Sequence, residues 1–332
     1  MIRENNLRLP GIIEKALELN ASDIHMVPGD PIMFRIDGSI RAVDDYLVTE
    51  ADIYVLLENY LSSYTRQKYD ERKSYDISLG LDRIRVRLHF YESLQGACVS
   101  CRLVPLIPRT MEELAIPPVL RNWMDNRGII VISGLTNMGK TTSLASMVDY
   151  INEHREEKIV ILEDPVEYLH NKKKGLIVQR EVGLNSPSYA DALRDIVRED
   201  VDTIVVGEVR NAQTMDAVFG MAESGQKVFT SVHASSAVGT IERIVNMFPL
   251  SDYERVCRRL SSTLNGVLNQ WLLPKQKGGR VLAAEIFTNS DATRWLLKDG
   301  LIHQIPAYLE RGTDELCSLK IYRERLERNG LF

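Results

Sequence analysis

GIIVISGLTNMGKTTSLASMVDYIN, residues 128–152, carries three signals in succession. Residues 128–133 are an apolar, β-branched run of the kind that forms a buried parallel strand. Gly134, Gly139, Lys140 and Thr141 then satisfy the spacing G-x-x-x-x-G-K-[ST], and Leu144, Ala145, Met147, Val148 and Ile151 recur at helical spacing. Strand, loop and helix in that order are the setting the motif requires. A turn into a helix N-terminus aims several unpaired N–H groups, and the positive end of the helix dipole, at one point. A phosphate chain fits there. Lys140 is expected to reach the β- and γ-phosphates and the Thr141 hydroxyl to ligate Mg²⁺, with Gly134, Thr136, Asn137, Met138, Gly139 and Thr142 completing the cradle. Asn137 and Met138 stand where small residues are common, although asparagine tolerates left-handed dihedrals better than most.

The 332 residues suffice for about two domains, each with its own core. With 44% hydrophobic and 26% charged residues the composition is that of an ordinary soluble protein, and a net charge of −5 gives no global attraction to nucleic acid or anionic lipid. No apolar run approaches the ~18 residues of a bilayer span, and the start MIRENNLRLPG lacks the apolar core of a signal peptide. The expectation is a cytoplasmic chain without direct membrane insertion. Cys98 and Cys101 lie in a strand-like run, where an odd spacing points them to opposite faces, so core packing rather than zinc accounts for them and for Cys257 and Cys317.

Residues 9–19 read as a helix entered at Pro10, followed by two strand-like runs, ASDIHMV and PIMFRIDGSIRAV. His25, within the first, reads as a strand residue with a satisfied hydrogen bond. Residues 49–64 have helical periodicity, and 74–81 and 83–103 return to strand character. Residues 1–104 are thus expected to form a small α+β domain. Within it Arg83, Arg85 and Arg87 alternate along one strand and share a face, with Arg102 on the next run. A solvated sheet face and a face that meets a bound triphosphate are both open readings. The proline-bearing residues 105–118 read as a linker, and 119–332 as the second domain.

In that domain KIVILEDPVEYLH is a buried strand ending in Glu163, Asp164 and Glu167, and strand C-termini of open parallel sheets face the ligand. Residues 169–179 read as a hairpin tipped by the solvated lysines 172–174. Residues 189–198 read as a helix carrying Arg194 and Arg198 on one face. VDTIVVGEVR ends in Gly207, Glu208 and Arg210, and Glu208 takes the place where an NTPase sets the acid that acts on Mg²⁺ or water. GQKVFTSVHAS ends at His233. Strand ends carrying a phosphate loop, acids, an acid and a histidine describe a RecA-like α/β sheet. Residues 240–248 and 252–273 read as amphipathic helices, and 300–332 as a helical tail.

The set resembles the type II and type IV secretion ATPases and, within them, the type IV pilus retraction ATPases (the PilT family). ASDIHMVPGDPIMFRIDGSI resembles the entry to the family's PAS-like N-terminal domain, GLTNMGKTT its Walker A, ILEDPVEY its Asp box, VVGEVR its atypical Walker B and TSVHASSAVGTIERI its His box. The resemblance implies that Lys140 and Thr141 bind ATP and Mg²⁺, that Glu208 is the catalytic glutamate and also reaches the metal, and that Glu163 and His233 assist at the γ-phosphate. It further implies charge-neutralising arginines among Arg83, Arg85, Arg194, Arg198 and Arg210, some from a neighbouring subunit of a homo-hexamer. It implies a peripheral place at the inner face of the cell membrane, beside a platform protein of the pilus machine.

WLLKDGLIHQIPAYLERG looks like the retraction group's C-terminal region, whereas Ala292, Thr293, Arg294 and Trp295 depart from the A-I-R-N usual there. The expected chemistry is in-line attack of water on the γ-phosphate, with Glu208 polarising the water and Lys140, Mg²⁺ and arginines meeting the developing charge. Pilus assembly or type II secretion is the alternative output, and an ATP-gated binding module with slow turnover the alternative class. A DNA translocase is disfavoured by the acidic balance and the absence of basic strips with interleaved aromatics.

Overall fold

The structure, a computed structural model, describes residues 8–81, 84–105, 107–275 and 278–331. The chain separates into two compact units, residues 1–107 with Glu167–Leu169, and Pro108–Val166 with residues 170–332. The first unit runs α1 (Leu9–Glu18), β1 (Asp23–Met26), β2 (Pro31–Ile36), β3 (Ser39–Leu47), α2 (Glu50–Tyr60), α3 (Ser63–Arg72), β4 (Ser74–Leu81), β5 (Ile84–Ser93) and β6 (Gly96–Pro105). Its strands form one antiparallel sheet in the order β3-β2-β1-β6-β5-β4. Leu9, Ile12, Ile13 and Ala16 on α1, and Ile53, Leu56 and Leu57 on α2, fall at i, i+3, i+4 spacing and give each helix one apolar stripe. These stripes join a core with Ile84, Val86, Leu88 and Phe90, the alternate positions of β5.

Here the local chemistry departs from the sequence expectation in two places. PIMFRIDGSIRAV is a hairpin: Asp37 (φ 49°) and Gly38 (φ 84°) are both left-handed, the two-residue turn that matches strand twist, and Ile36 pairs with Ser39. The helical pattern of residues 49–64 breaks into α2 and α3, because Leu61 is extended and the Ser62 hydroxyl caps a new helix through the Thr65 amide.

Two arginines of this face, Arg87 and Arg102, meet acids of their own sheet. Arg87 stands across from Arg102, but Arg87 Nε donates to Asp76 at 3.1 Å and Arg102 Nε donates to Asp23 at 2.9 Å. Arg85, half-buried, lies between Gly80 and Val104, and Arg83 lies outside the described residues. His25 Nδ1 sits 3.1 Å from Ser100 Oγ, and all four cysteines are buried thiols.

The second unit continues with α4 (Val119–Asp125), β7 (Gly128–Ser133), α5 (Lys140–His154), β8 (Lys158–Glu163), β9 (Leu176–Glu181), α6 (Tyr189–Ile196), β10 (Thr203–Val206), α7 (Ala212–Glu223), β11 (Lys227–Val232), α8 (Ala237–Val245), α9 (Tyr253–Thr263), β12 (Leu264–Pro274), β13 (Arg280–Thr288), α10 (Arg294–Lys298), α11 (Ile305–Leu309), β14 (Leu316–Cys317) and α12 (Leu319–Arg328). Its sheet has the order β14-β13-β12-β7-β11-β10-β8-β9, parallel from β12 to β9 and antiparallel at β13 and β14. The chain is therefore mixed α/β with two sheets.

The apolar run of β7 is explained by burial on both faces. Ile129 and Val131 pack with α7, α8 and α9, whereas Ile130 and Ile132 pack with α4 and α5. Met111 and Ile116, from the stretch read as a linker, are buried in the cluster with α4 and α5. The hairpin expected over residues 169–179 is instead a crossover, with β9 running parallel to β8, and Lys173 is held by Asp149 at 2.9 Å and Glu153 at 3.1 Å. The helix expected over 252–273 ends at Thr263 and gives way to β12, which lies beside β7. Gly266 belongs to that contact, since a Cβ there would run into the Trp123 indole. Among the described residues no helix is long and apolar enough to cross a membrane.

Candidate functional site

Between β7 and α5 the backbone passes through Gly134 (φ 153°), Asn137 (φ 64°) and Gly139 (φ 79°), conformations that favour glycine and asparagine. A Cβ on Gly134 would stand 2.6 Å from the Gln270 carbonyl of β12, so the loop passes that strand too closely for any side chain. Met138 is tied to the same strand: its carbonyl accepts from Gln270 Nε2 at 2.5 Å. Thr136 is exposed and Thr141 and Thr142 are half-buried at the start of α5. Side chains of Thr49, Ser62, Ser188, Asn211, Ser236 and Ser318 cap α2, α3, α6, α7, α8 and α12. Among the described residues none caps α5. The amides of Lys140 and Thr141 and the helix dipole are thus left to an external anion.

Lys140 lies at the base of this loop, 9% exposed, with Nζ donating to the carbonyls of Gly134 at 3.0 Å and Leu135 at 2.9 Å. The same Nζ is 3.3 Å from His233 Nδ1, and His233 Nε2 is 3.3 Å from Glu208 Oε1. Glu208 Oε2 in turn accepts from Arg210 at 2.8 Å. An ammonium can only donate and a carboxylate only accept, so the ring is assigned the neutral Nε2–H tautomer, accepting at Nδ1. Burial, Lys140 and Arg210 push the His233 pKa below its ordinary value against the pull of Glu208, and Arg243 on α8 acts in the same direction. Burial likewise lowers Lys140, with Glu208 opposing.

Strand register explains why these groups meet. Ser133 pairs with Val232, and Val206 lies between Thr230 of β11 and Leu162 of β8, so Gly134, His233 and Glu208 follow the C-terminal ends of neighbouring parallel strands and Glu163 is the last residue of β8. Gly207 N donates to Leu162 O at 2.8 Å, and a Cβ on Gly207 would meet Glu163 Cγ at 3.3 Å, which seats the two glutamate-bearing turns side by side. Tyr189 marks the far edge of the rim: burial raises its hydroxyl pKa, and Asp164, Glu163 and Glu208 raise it further.

Two predicted residues stand apart from this group. Arg194 is exposed and paired with Asp191 at 3.2 Å, and Arg198 lies exposed in the turn beyond the end of α6 at Ile196. Conversely, Asn269, Gln270, Thr240 and Tyr189 support the site without having been read from the sequence. Asn269 and Gln270 are 0% and 1% exposed, and two adjacent buried amides in an apolar run are the signal that could have found them.

Comparison with known proteins places this geometry. Residues 6–325 match the family model described as type II/IV secretion system protein. The chain is 35% identical over 294 residues to the type IV pilus retraction ATPase PilT of Pseudomonas aeruginosa, covering 88% of this chain and 86% of that protein. It is 34% identical over 283 residues to a twitching motility protein of Neisseria gonorrhoeae, covering 84% and 76% respectively. A crystal structure of the pilus retraction motor PilT with bound ADP superposes with a TM-score of 0.87 at 37% identity, covering 98% of this chain and 95% of that one. The phosphate loop, the histidine and the acids that line one rim of the second sheet are thus those of a member of the type II/IV secretion system protein family, to which this chain belongs.

Proposed function

We propose that the chain is a Mg²⁺-dependent ATPase whose turnover drives retraction of a type IV pilus. On this reading the second unit is a RecA-like motor domain and the first a PAS-like one. The working form is a homo-hexameric ring at the inner face of the cell membrane, acting on a platform protein of the pilus machine. The observation that carries the reading is the continuous line of contacts Lys140–His233–Glu208 behind an uncapped phosphate loop. Similarity to a retraction ATPase, to a twitching motility protein and to an ADP-bound retraction motor supports the same output.

The residues fit a nucleoside triphosphate. The amides of Lys140 and Thr141 in the uncapped first turn of α5 would meet an anion, Lys140 lies among acceptors that phosphate oxygens can replace, and Gly134 and Gly139 carry no side chain over the loop. Mg²⁺ would be held by the Thr141 hydroxyl, the phosphates and water-linked Glu208, and it would neutralise phosphate charge. Glu208, fixed on both oxygens by His233 and Arg210, orients and polarises the attacking water. His233, neutral, passes the position of Lys140 to Glu208, and Glu163 lies next to the Glu208 turn as an auxiliary acid. Arg83, Arg85, Arg194 and Arg198 are candidates for charge supplied across subunits of the ring.

The test has two parts. Purified protein should hydrolyse ATP continuously with Mg²⁺ and lose turnover on Glu208→Gln; hydrolysis by that variant at the wild-type rate would refute the assignment. Cells lacking the protein should keep labelled pili that no longer retract, whereas loss of the pili themselves would point to assembly.

A further inference from the structure

Two strands of the second unit bracket the segment that carries His233. β12 and β13 are antiparallel, and Asn269 stands directly across from Glu285. Two residues away on the same face, Val267 and Phe287 pack with Ala237 and Ile241 of α8. Asn269 is fully buried, and its Nδ2 donates to Ser133 Oγ and to the Ala234 carbonyl, each at 3.0 Å. Its Oδ1 accepts from Trp271 Nε1 at 3.1 Å, and because an indole N–H can only donate, Trp271 fixes which way the amide faces. Ser133 Oγ and Thr240 Oγ1 are 2.7 Å apart, and Thr240 Oγ1 is 2.7 Å from the Ser236 carbonyl, which can only accept. Asn269 donates to Ser133, and the Thr240 hydroxyl continues the line, donating to Ser133 Oγ or to the Ser236 carbonyl.

Glu285 completes the bracket. Its Oε2 accepts from the Ala237 amide at 2.7 Å, and its carboxylate also accepts from the amide of Leu319, the first residue of α12. Ser133 precedes Gly134, whose carbonyl holds Lys140 Nζ, and Ala234 follows His233, whose ring meets the same Nζ. Asn269 therefore ties together the two backbone segments that contact that ammonium.

We propose that Asn269 and Glu285 are positioning residues for the nucleotide site. They hold the 233–237 segment by the Ala234 carbonyl and the Ala237 amide, and so keep the His233 imidazole spanning Lys140 and Glu208. The inference rests on the functional reading above. Asn269→Asp removes both N–H donors, and Glu285→Gln removes the charge shared by two amides, each with little change of shape.

The experiment is steady-state ATP hydrolysis by the full chain carrying Asn269→Asp, Glu285→Gln or His233→Ala, and by each positioning variant combined with His233→Ala. Misplacing the imidazole should lower kcat by roughly tenfold to a hundredfold with KM for ATP changed less than about threefold, and should cost nothing further once His233 is alanine. Unchanged kcat, a loss of equal size in the His233→Ala background, or a matching rise in KM overturns the proposal while leaving the functional reading intact. Wild-type turnover by His233→Ala overturns the role of His233 itself, and the positioning claim with it. If the buried charge of Asn269→Asp abolishes cooperative melting, the milder Glu285→Gln decides alone by the same criteria.

Discussion

His170 offers a prediction whose size follows from its surroundings. It lies in the crossover from β8 to β9, where its amide donates to Gln179 Oε1 at 3.2 Å and its Nδ1 is buried with no partner among the described residues. Burial, the largest cause, holds its pKa down to about 4 from the ordinary 6.5, with Asp149 raising and Lys173 lowering it further. Above 6.5 both folded and unfolded chains carry the neutral ring, and this site costs nothing. As pH falls below 6.5 the unfolded chain takes up a proton that the folded chain refuses until about 4, so stability is lost across that window and the loss is complete below it. At pH 5 the loss is about 2 kcal/mol out of a full span of about 3 kcal/mol. Urea unfolding of the wild type and of His170→Gln at pH 7 and pH 5 isolates it, because the other titrating groups cancel in the double difference. The wild type should lose about 2 kcal/mol more than the variant on acidification, or about 1 M in midpoint for a slope of about 2 kcal/mol per M. Equal losses in the two proteins would refute the reasoning.

Glu208→Gln should lower kcat by about 10²- to 10⁴-fold while ADP affinity, measured by fluorescence titration, stays close to wild type. Gly134→Ala places a methyl group 2.6 Å from the Gln270 carbonyl at φ 153°, and should weaken ADP binding and cost roughly 1–3 kcal/mol in a thermal melt. All four thiols are buried, so a thiol reagent should label none quickly in native protein and four after denaturation, read by absorbance.

The strand ends that build the site are legible because each carries a local signature: a glycine-lysine loop, paired acids, a glutamate after a β-branched run, a histidine after another. β12 is not. Its buried Leu264, Val267, Leu268, half-buried Trp271 and Leu272 fall at i, i+3, i+4, i+7 and i+8, the pattern of a helix, and follow α9 without a proline. A strand buried on both faces has no period of its own, so the accidental one prevails and Asn269 and Gln270 cannot be placed beside the phosphate loop. β9 is misread for a different reason. Gly175 beside three lysines looks like a hairpin tip, and only the register of Ile159 with Ile177 reveals a parallel partner. Arg194 and Arg198 show the limit of spacing arguments, since the helix that would align them stops at Ile196.

Among the described residues, six of the twelve α-helices close their own first turn with a side-chain hydroxyl or amide. α5 leaves that closure to a visitor. Part of the cohesion of the second unit is therefore borrowed from solution: at a hundredfold excess of nucleotide over Kd it should gain about 3 kcal/mol, and in a depleted cell it should forfeit them. The motor and the gauge of its own fuel would then be one and the same turn of helix.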